Sequence, residues 1–223
     1  MKKKNIIGLI LARKGSKRLK SKNLKKINGK SLTEITIKFA KKLKFLTNVI
    51  LSTDDRKILN LSKKNKIMSP GLRPATLSDS KSSSEKAAFH AIKWYEEKFG
   101  KVDGICLLQP TTPFRDISKF KKAIKIFLAK DKTVISVSKI DKNPNIYFIN
   151  EKKISYRKSN KKNNSFFYID GSLYLISRKV FFREKTFVPK KFVKLINDKI
   201  KYSIDIDFEK DLKLARLLTN ENF

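Results

Sequence analysis

Apolar and polar positions fall along the chain in blocks whose period switches between strand and helix. An apolar run from Ile6 to Leu11 stops at Ala12, which predicts a first strand leading into a loop. Ser31-Leu-Thr-Glu34 has capping-box spacing, and Ile35, Phe39, Leu43 and Leu46 then recur at helical intervals. Asn48 to Ser52 reads as a short strand, and Ile58, Leu59 and Leu61 mark a second amphipathic helix. Residues 69 to 84 are rich in turn-formers and predict an ordered loop. Ser82 to Glu85 repeats the capping-box spacing before a helix through Ala88, Ile92 and Tyr95 to about Phe99. Gly104 to Leu108 is almost wholly apolar, as expected of a parallel strand covered on both faces. After a loop at Gln109 to Asp116, Phe120, Ile124, Phe127 and Leu128 predict another helix, and Thr133 to Ser138 another strand.

From Lys139 to Asn164 the helical period disappears, and the polar segment with its short alternating pieces predicts a hairpin excursion. Phe166 to Ile169 and Leu173 to Ile176 read as two strands around Asp170-Gly171. Lys201 to Asp207 reads as a strand entering a helix from Glu209 to Leu218. Strands and helices of these lengths imply right-handed crossovers and a doubly wound, mostly parallel, Rossmann-like α/β sheet. A single domain over residues 1 to 223 is expected, with a small β-rich excursion at about 139 to 170. In such a sheet the ligand lies beyond the carboxyl ends of the strands.

Composition narrows the class. No stretch of the 223 residues approaches the roughly 18 to 20 apolar residues of a membrane span, and the N-terminus lacks a small-residue cleavage pattern, so a cytoplasmic protein is expected. A lone Cys106 in an apolar run is expected to be a buried, inert thiol. One Cys and one His exclude metal sites of the Cys/His type, and His90, beside Phe89 and Ala91, reads as structural. The 54 basic against 20 acidic residues give a net charge of +34. The lysines are spread over the whole chain instead of forming a tail or patch, which argues for compositional drift and against nucleic acid as the partner.

Chemistry concentrates in a few stretches. Between Gly8 and Asn23 the strand gives way to a loop in which Gly15 and Ser16 sit among Arg13, Lys14, Lys17, Arg18, Lys20 and Lys22. Small residues let backbone N–H groups approach an anion, and the cations around them neutralise it, so a triphosphate is the expected guest. The Walker spacing and the dinucleotide fingerprint are both absent. Asp205 and Asp207 lie two apart in a predicted strand, so both carboxylates are expected on one side, where they could share a hard cation such as magnesium. The plainer reading is that Asp207 caps the following helix.

The run A-R-x-G-S-K-R-L-x-x-K-N after an N-terminal strand resembles the acylneuraminate cytidylyltransferases, the CMP-sugar-acid synthetases. Further matches are Ser52-Thr53-Asp54, Arg73-Pro74 with Asp79 to Ser83, Leu107 to Arg115, Phe167 to Tyr174 and Ser203 to Asp207 with its helix. Departures are Leu11 and Lys14 in the first motif, Ser80 and Lys81 in the third, Thr112 in the fourth, and Asp170 and Ser172 in the fifth. The resemblance implies transfer of CMP from CTP to a nine-carbon 2-keto sugar acid, N-acetylneuraminate or a relative such as legionaminate, with release of pyrophosphate. It also implies that Leu11, Ala12, Arg13, Gly15, Ser16, Asn23, Arg73, Ser82 and Ser83 bind the nucleotide. Arg13 and Lys22 would hold the phosphates, Asp205 and Asp207 a magnesium ion, and Asp207 is one candidate for the base. Gln109, Arg157 and Asp170 would meet the sugar acid, and two chains would pair through the excursion. Pseudaminate and 3-deoxy-octulosonate remain alternative acceptors, and a basic nucleic-acid-binding domain on a degenerate transferase scaffold remains the alternative from another class.

Overall fold

The computed structural model describes residues 4–79, 82–140, 146–150, 153–157 and 166–220. Six strands form one sheet: β1 (Ile6–Leu11), β4 (Asn48–Ser52), β5 (Gly104–Leu107), β6 (Val134–Ile140), β9 (Phe166–Ser177) and β10 (Val193–Asn197), in the order β10-β6-β9-β5-β1-β4. Pairs β1/β4, β1/β5 and β6/β10 are parallel, and β9 runs antiparallel to both β5 and β6. Five strands therefore point one way, and their carboxyl ends share one rim. The short pair β2 (Lys26–Ile27) and β3 (Lys30–Ser31) and the hairpin β7 (Ile146–Asn150) and β8 (Lys153–Arg157) are separate two-stranded sheets.

Helices α1 (Leu32–Lys42), α2 (Arg56–Lys64) and α4 (Ile117–Lys130) cover one face, where Ile10, Ile37, Leu51, Cys106, Phe120 and Phe127 meet. Helices α3 (Ser84–Phe99) and α5 (Arg178–Glu184) cover the other, where Ile7, Leu9, Ala91, Ile105, Ile176 and Phe181 meet. Burial on both faces explains why β1 and β5 read as continuous apolar runs. Cys106 is fully buried, which pushes its thiol up to about 12 and leaves it unreactive. A third cluster decides the site. Leu19 of the basic loop, Ile27, Leu32, Ile204, Ile206, and Leu212 and Ala215 of α6 (Glu209–Asn220) pack together, so the chain's first loop and its last segment are fastened side by side.

Several expectations are met and several corrected. Ser31 caps α1 with the full capping box to Glu34, but the buried stripe of that helix is Leu32, Thr36, Ile37 and Ala40, with Ile35 and Phe39 at its flanks. Ser83, not Ser82, caps α3, accepting from the Lys86 N–H, because the Ser82 N–H is already bound to the Asp79 carboxylate at 2.5 Å. The two strands expected around Asp170-Gly171 are one strand with a bulge. Ile135 pairs with Tyr174 whereas Val137 pairs with Ile169, so residues 170 to 173 leave the ladder. Lys201 to Asp207 is not a strand: residues 200–203 form a 3-10 turn, and the extended piece after it docks by the Ile206 N–H onto the Thr111 carbonyl at 2.8 Å. Helix α5 and strand β10 lie where the pattern predicted no element.

Candidate active site

The basic loop is pinned at four points. The Ala12 N–H donates to the Ser52 carbonyl at 3.0 Å, and the Thr53 hydroxyl donates to the Ala12 carbonyl at 2.6 Å. The Lys14 N–H donates to the Asp54 carboxylate at 2.8 Å. The buried Asn23 side chain donates to the Arg13 carbonyl at 2.9 Å, and its own carbonyl accepts from the Thr33 hydroxyl. Ser52-Thr53-Asp54 thus shapes the loop without entering it. The Ser16 N–H turns back onto the Lys14 carbonyl at 3.0 Å, so that amide is not free for an anion.

With the loop held, a cleft of about 480 Å³ opens beyond the carboxyl ends of β1 and β5, a volume ordinary for a small-molecule site. Leu11, Arg13, Lys22 and Asn23 form one wall, and Arg73, Ser82 and Ser83 form another. Gln109, Pro110 and Thr111 form the side nearest β9. Most of the sequence-predicted residues are therefore gathered at one place. Across the mouth, Arg13 reaches the Asp79 carbonyl at 3.2 Å, tying the basic loop to the serine loop. Arg18, absent from the expected set although present in the basic run, also lines the cleft.

Asp207 lies beside these cations. Lys22 Nζ donates to its Oδ1 at 2.6 Å, and Arg18 meets its Oδ2 at 2.7 Å while lying 5.3 Å over the Phe208 ring. Asp207 does not cap α6; its N–H and that of Phe208 both donate to the Asp211 carboxylate. Ile206 is turned fully into the third core cluster, which leaves Asp205 and Asp207 on the outward side. Asp205 has accessible atoms but is crowded, and that crowding raises its carboxyl above the usual range. The Thr111 hydroxyl pulls the other way, and the Asp207 charge raises it further. Among the described residues no cluster of three or more His, Cys, Asp or Glu exists, so a metal here would have two carboxylates from the protein. Two hard oxygens beside a cationic loop are a donor set that fits magnesium.

Other residues are placed differently from the expectation. Arg73 is buried and spends three of its five N–H groups on Ser52 and on the Leu77 carbonyl, so it first holds the serine loop in place; burial lowers its pKa. Asp170 does not face the cleft. It is buried and accepts from the Ser136 hydroxyl at 2.5 Å, the Ser172 N–H at 3.0 Å, the Ser138 hydroxyl at 2.9 Å and the Asn197 amide at 2.9 Å. Its work is to set the bulge. Gly171, with φ at +78°, then lies against Gln109: a Cβ there would sit 2.8 Å from Gln109 Oε1 and 3.3 Å from Thr112 Cγ2. The Thr112 hydroxyl also donates to the Gly171 carbonyl. Two sequence-distant motifs thus meet at the same end of the cleft. The side chain of Arg157, in β8, lies outside the described residues, as do Ser80 and Lys81.

A family model described as cytidylyltransferase matches residues 7–222. The chain belongs to the cytidylyltransferase family. This cytidylyltransferase is similar to a CMP-N,N'-diacetyllegionaminic acid synthase of Legionella pneumophila, at 28% identity over 97% of each chain. It is 30% identical to an N-acylneuraminate cytidylyltransferase of Escherichia coli over 94% of its own length, spanning 51% of that relative. A pseudaminic acid cytidylyltransferase of Campylobacter jejuni is 26% identical over 96% of each chain. Among solved structures, a CMP:2-keto-3-deoxy-manno-octonic acid synthetase complexed with CTP shares the fold at a TM-score of 0.72, with 14% identity, over 98% of this chain and all of that one. The chain is thus a nucleotidyltransferase with a mostly parallel sheet, and no helix among the described residues is long and apolar enough to cross a membrane.

Proposed function

We propose that this cytidylyltransferase joins CMP from CTP to a nine-carbon 2-keto sugar acid. The anomeric hydroxyl attacks the α-phosphorus, the bond from that phosphorus to the pyrophosphate oxygen breaks, and the hydroxyl proton is lost. The observation that carries the reading is the 2.6 Å contact between Asp207 of the last segment and Lys22 of the basic loop, which itself lines the cleft. A triphosphate in that cleft is within reach of both.

Catalysis would rest on placement and charge neutralisation, with no covalent enzyme intermediate. Arg13, Lys22 and Arg18 supply cations to the phosphates and to the charge that grows on departing pyrophosphate. Arg73 and Asn23 hold the walls that seat the nucleotide, and Ser82, whose buried hydroxyl has no partner among the described residues, is available to it. Asp205 and Asp207 would hold magnesium, which when bound neutralises phosphate oxygens. Gln109, braced by Gly171, orients the acceptor. The relatives favour a neuraminate-like or legionaminate-like acid, and a cytoplasmic location fits an enzyme that draws on CTP.

The β7–β8 hairpin stands apart from the main sheet, and an isolated two-stranded hairpin is only marginally stable in water. Pairing of two chains through this excursion would support it, and sedimentation at micromolar concentration should return the mass of a dimer.

The enzymatic test is direct. Incubation with CTP, Mg²⁺ and a panel of N-acetylneuraminate, legionaminate, pseudaminate and 3-deoxy-octulosonate should release pyrophosphate with one of the nine-carbon acids. No release with any acceptor, together with tight salt-sensitive binding to DNA or RNA, would overturn the reading.

A further inference from the structure

On the far side of the Gln109–Arg115 turn from the cleft lies a second groove of about 390 Å³. Lys30, Lys38, Lys42 and Lys201 stand around it, Phe39, Phe114 and Tyr202 form its sides, and Arg115 is among its lining residues. No acid lines it. Elsewhere on the surface, Lys4 and Lys119 meet aspartates, and Arg178 and Arg183 meet glutamates. Here the nearest acid along α1, Glu34, is occupied with the Ser31 cap. The like charge of Lys30 is the main cause that lowers the Lys38 pKa, and Glu34 opposes it.

Arg115 is the second, independent observation. The residue is 8% exposed, yet its charge has no carboxylate within 4 Å among the described residues. It donates only to neutral oxygens, those of Thr36, Gln109 and Thr112, with the Phe39 ring 5.6 Å away. Its buried Nε has no partner among the described residues. An unpaired buried guanidinium is costly unless an anion comes to it.

We propose that this groove is a second binding site, for a compact polyphosphate-class anion, separate from the nucleotide cleft. Four lysines around one groove match an ion of three or more negative charges, and the apolar sides favour a small occupant over an extended chain. Occupancy would lie directly behind the turn that carries Gln109. The inference does not depend on the reaction proposed above, because the lysines concerned take no part in it.

The test uses the full chain and inorganic tripolyphosphate, followed by calorimetry in metal-free buffer with CTP saturating the cleft. One tripolyphosphate per chain should still bind. The double charge reversal Lys38→Glu/Lys201→Glu should weaken that binding at least tenfold while leaving CTP affinity and the melting temperature unchanged; Arg13→Ala should leave it unchanged. Loss of tripolyphosphate binding in Arg13→Ala would overturn the proposal. So would undiminished binding by the charge-reversed chain, or a defect confined to long DNA or RNA.

Discussion

Gly171→Ala isolates the junction between the two acceptor-side motifs. The backbone there is left-handed, at φ +78°, which costs an L-residue about 1–2 kcal/mol; a stiffer unfolded chain returns about 0.4–1. The net loss of about 1 kcal/mol corresponds to a fall of about 2–4 °C in melting temperature for a chain of this size. The steric consequence is larger than the thermal one. The new methyl would stand 2.8 Å from Gln109 Oε1, closer than real Cβ contacts come, and 3.3 Å from Thr112 Cγ2. Thr112 is fully buried and cannot retreat, whereas the end of Gln109 can swing, so Gln109 is the group displaced. Misplacing a positioning group by about 1 Å costs on the order of 10²-fold. Pyrophosphate release with CTP held saturating should therefore show acceptor kcat/KM reduced by about 10–100-fold, with the KM for CTP within about twofold of the parent. Gln109→Ala should show the same acceptor defect, and the double variant should be no worse than Gln109→Ala alone. An acceptor kcat/KM unchanged in Gly171→Ala, or a defect confined to CTP, would refute the assignment of Gln109.

Two further outcomes concern stability. Asp170→Ala strands four buried donors and should cost roughly 3 kcal/mol, read as a fall in the urea midpoint with an unchanged slope. Arg178 holds Glu96 by two bonds of 2.6 and 2.8 Å, joining α5 to α3, and Arg178→Ala should cost about 2 kcal/mol at neutral pH. Burial alone would raise the Glu96 carboxyl, but Arg178 and the Val102 N–H outweigh it and hold it below the ordinary glutamate value. A depressed carboxylate stabilises the fold above its unfolded pKa and loses that contribution as the pH falls through the folded value. The stability gap between parent and Arg178→Ala should accordingly narrow below about pH 4 in denaturant titrations, and a constant gap would exclude the charge as its source.

Much of this was legible from local pattern, and the remainder depended on contacts that pattern does not encode. The Ser31–Glu34 cap and the strands at residues 6–11 and 48–52 follow from neighbours in sequence. The cap of α3 was misread by one residue because Ser82, Ser83 and Ser84 are equivalent cappers locally; Asp79, by taking the Ser82 N–H, decides the register. Asp170-Gly171 resembles a turn between strands, and only pairing with β5 and β6 reveals one bulged strand. The alternation in Lys201 to Asp207 is real, with Ile204 and Ile206 turned inward, but it serves the third core cluster instead of a sheet. Helix α5 and β10 were hidden by lysines that break the amphipathic contrast. In the site, the grouping of Arg13, Lys22, Arg73 and Gln109 followed from motif positions after strands. The pairing of Asp207 with Arg18 and Lys22, and the inward turn of Asp170, required the tertiary contacts.

The claim on which the account turns is that the basic loop and the last acidic pair act together on one triphosphate. Its most direct measurement is a double-mutant cycle on kcat/KM for CTP, using Lys22→Ala, Asp207→Ala and the combined variant at saturating Mg²⁺. Each single change should lower the rate constant by about 10²-fold or more. The combined loss should fall well short of the product of the two, because groups serving the same phosphates act as a unit. Losses that multiply in full would mean that Lys22 and Asp207 work independently, and would contradict it.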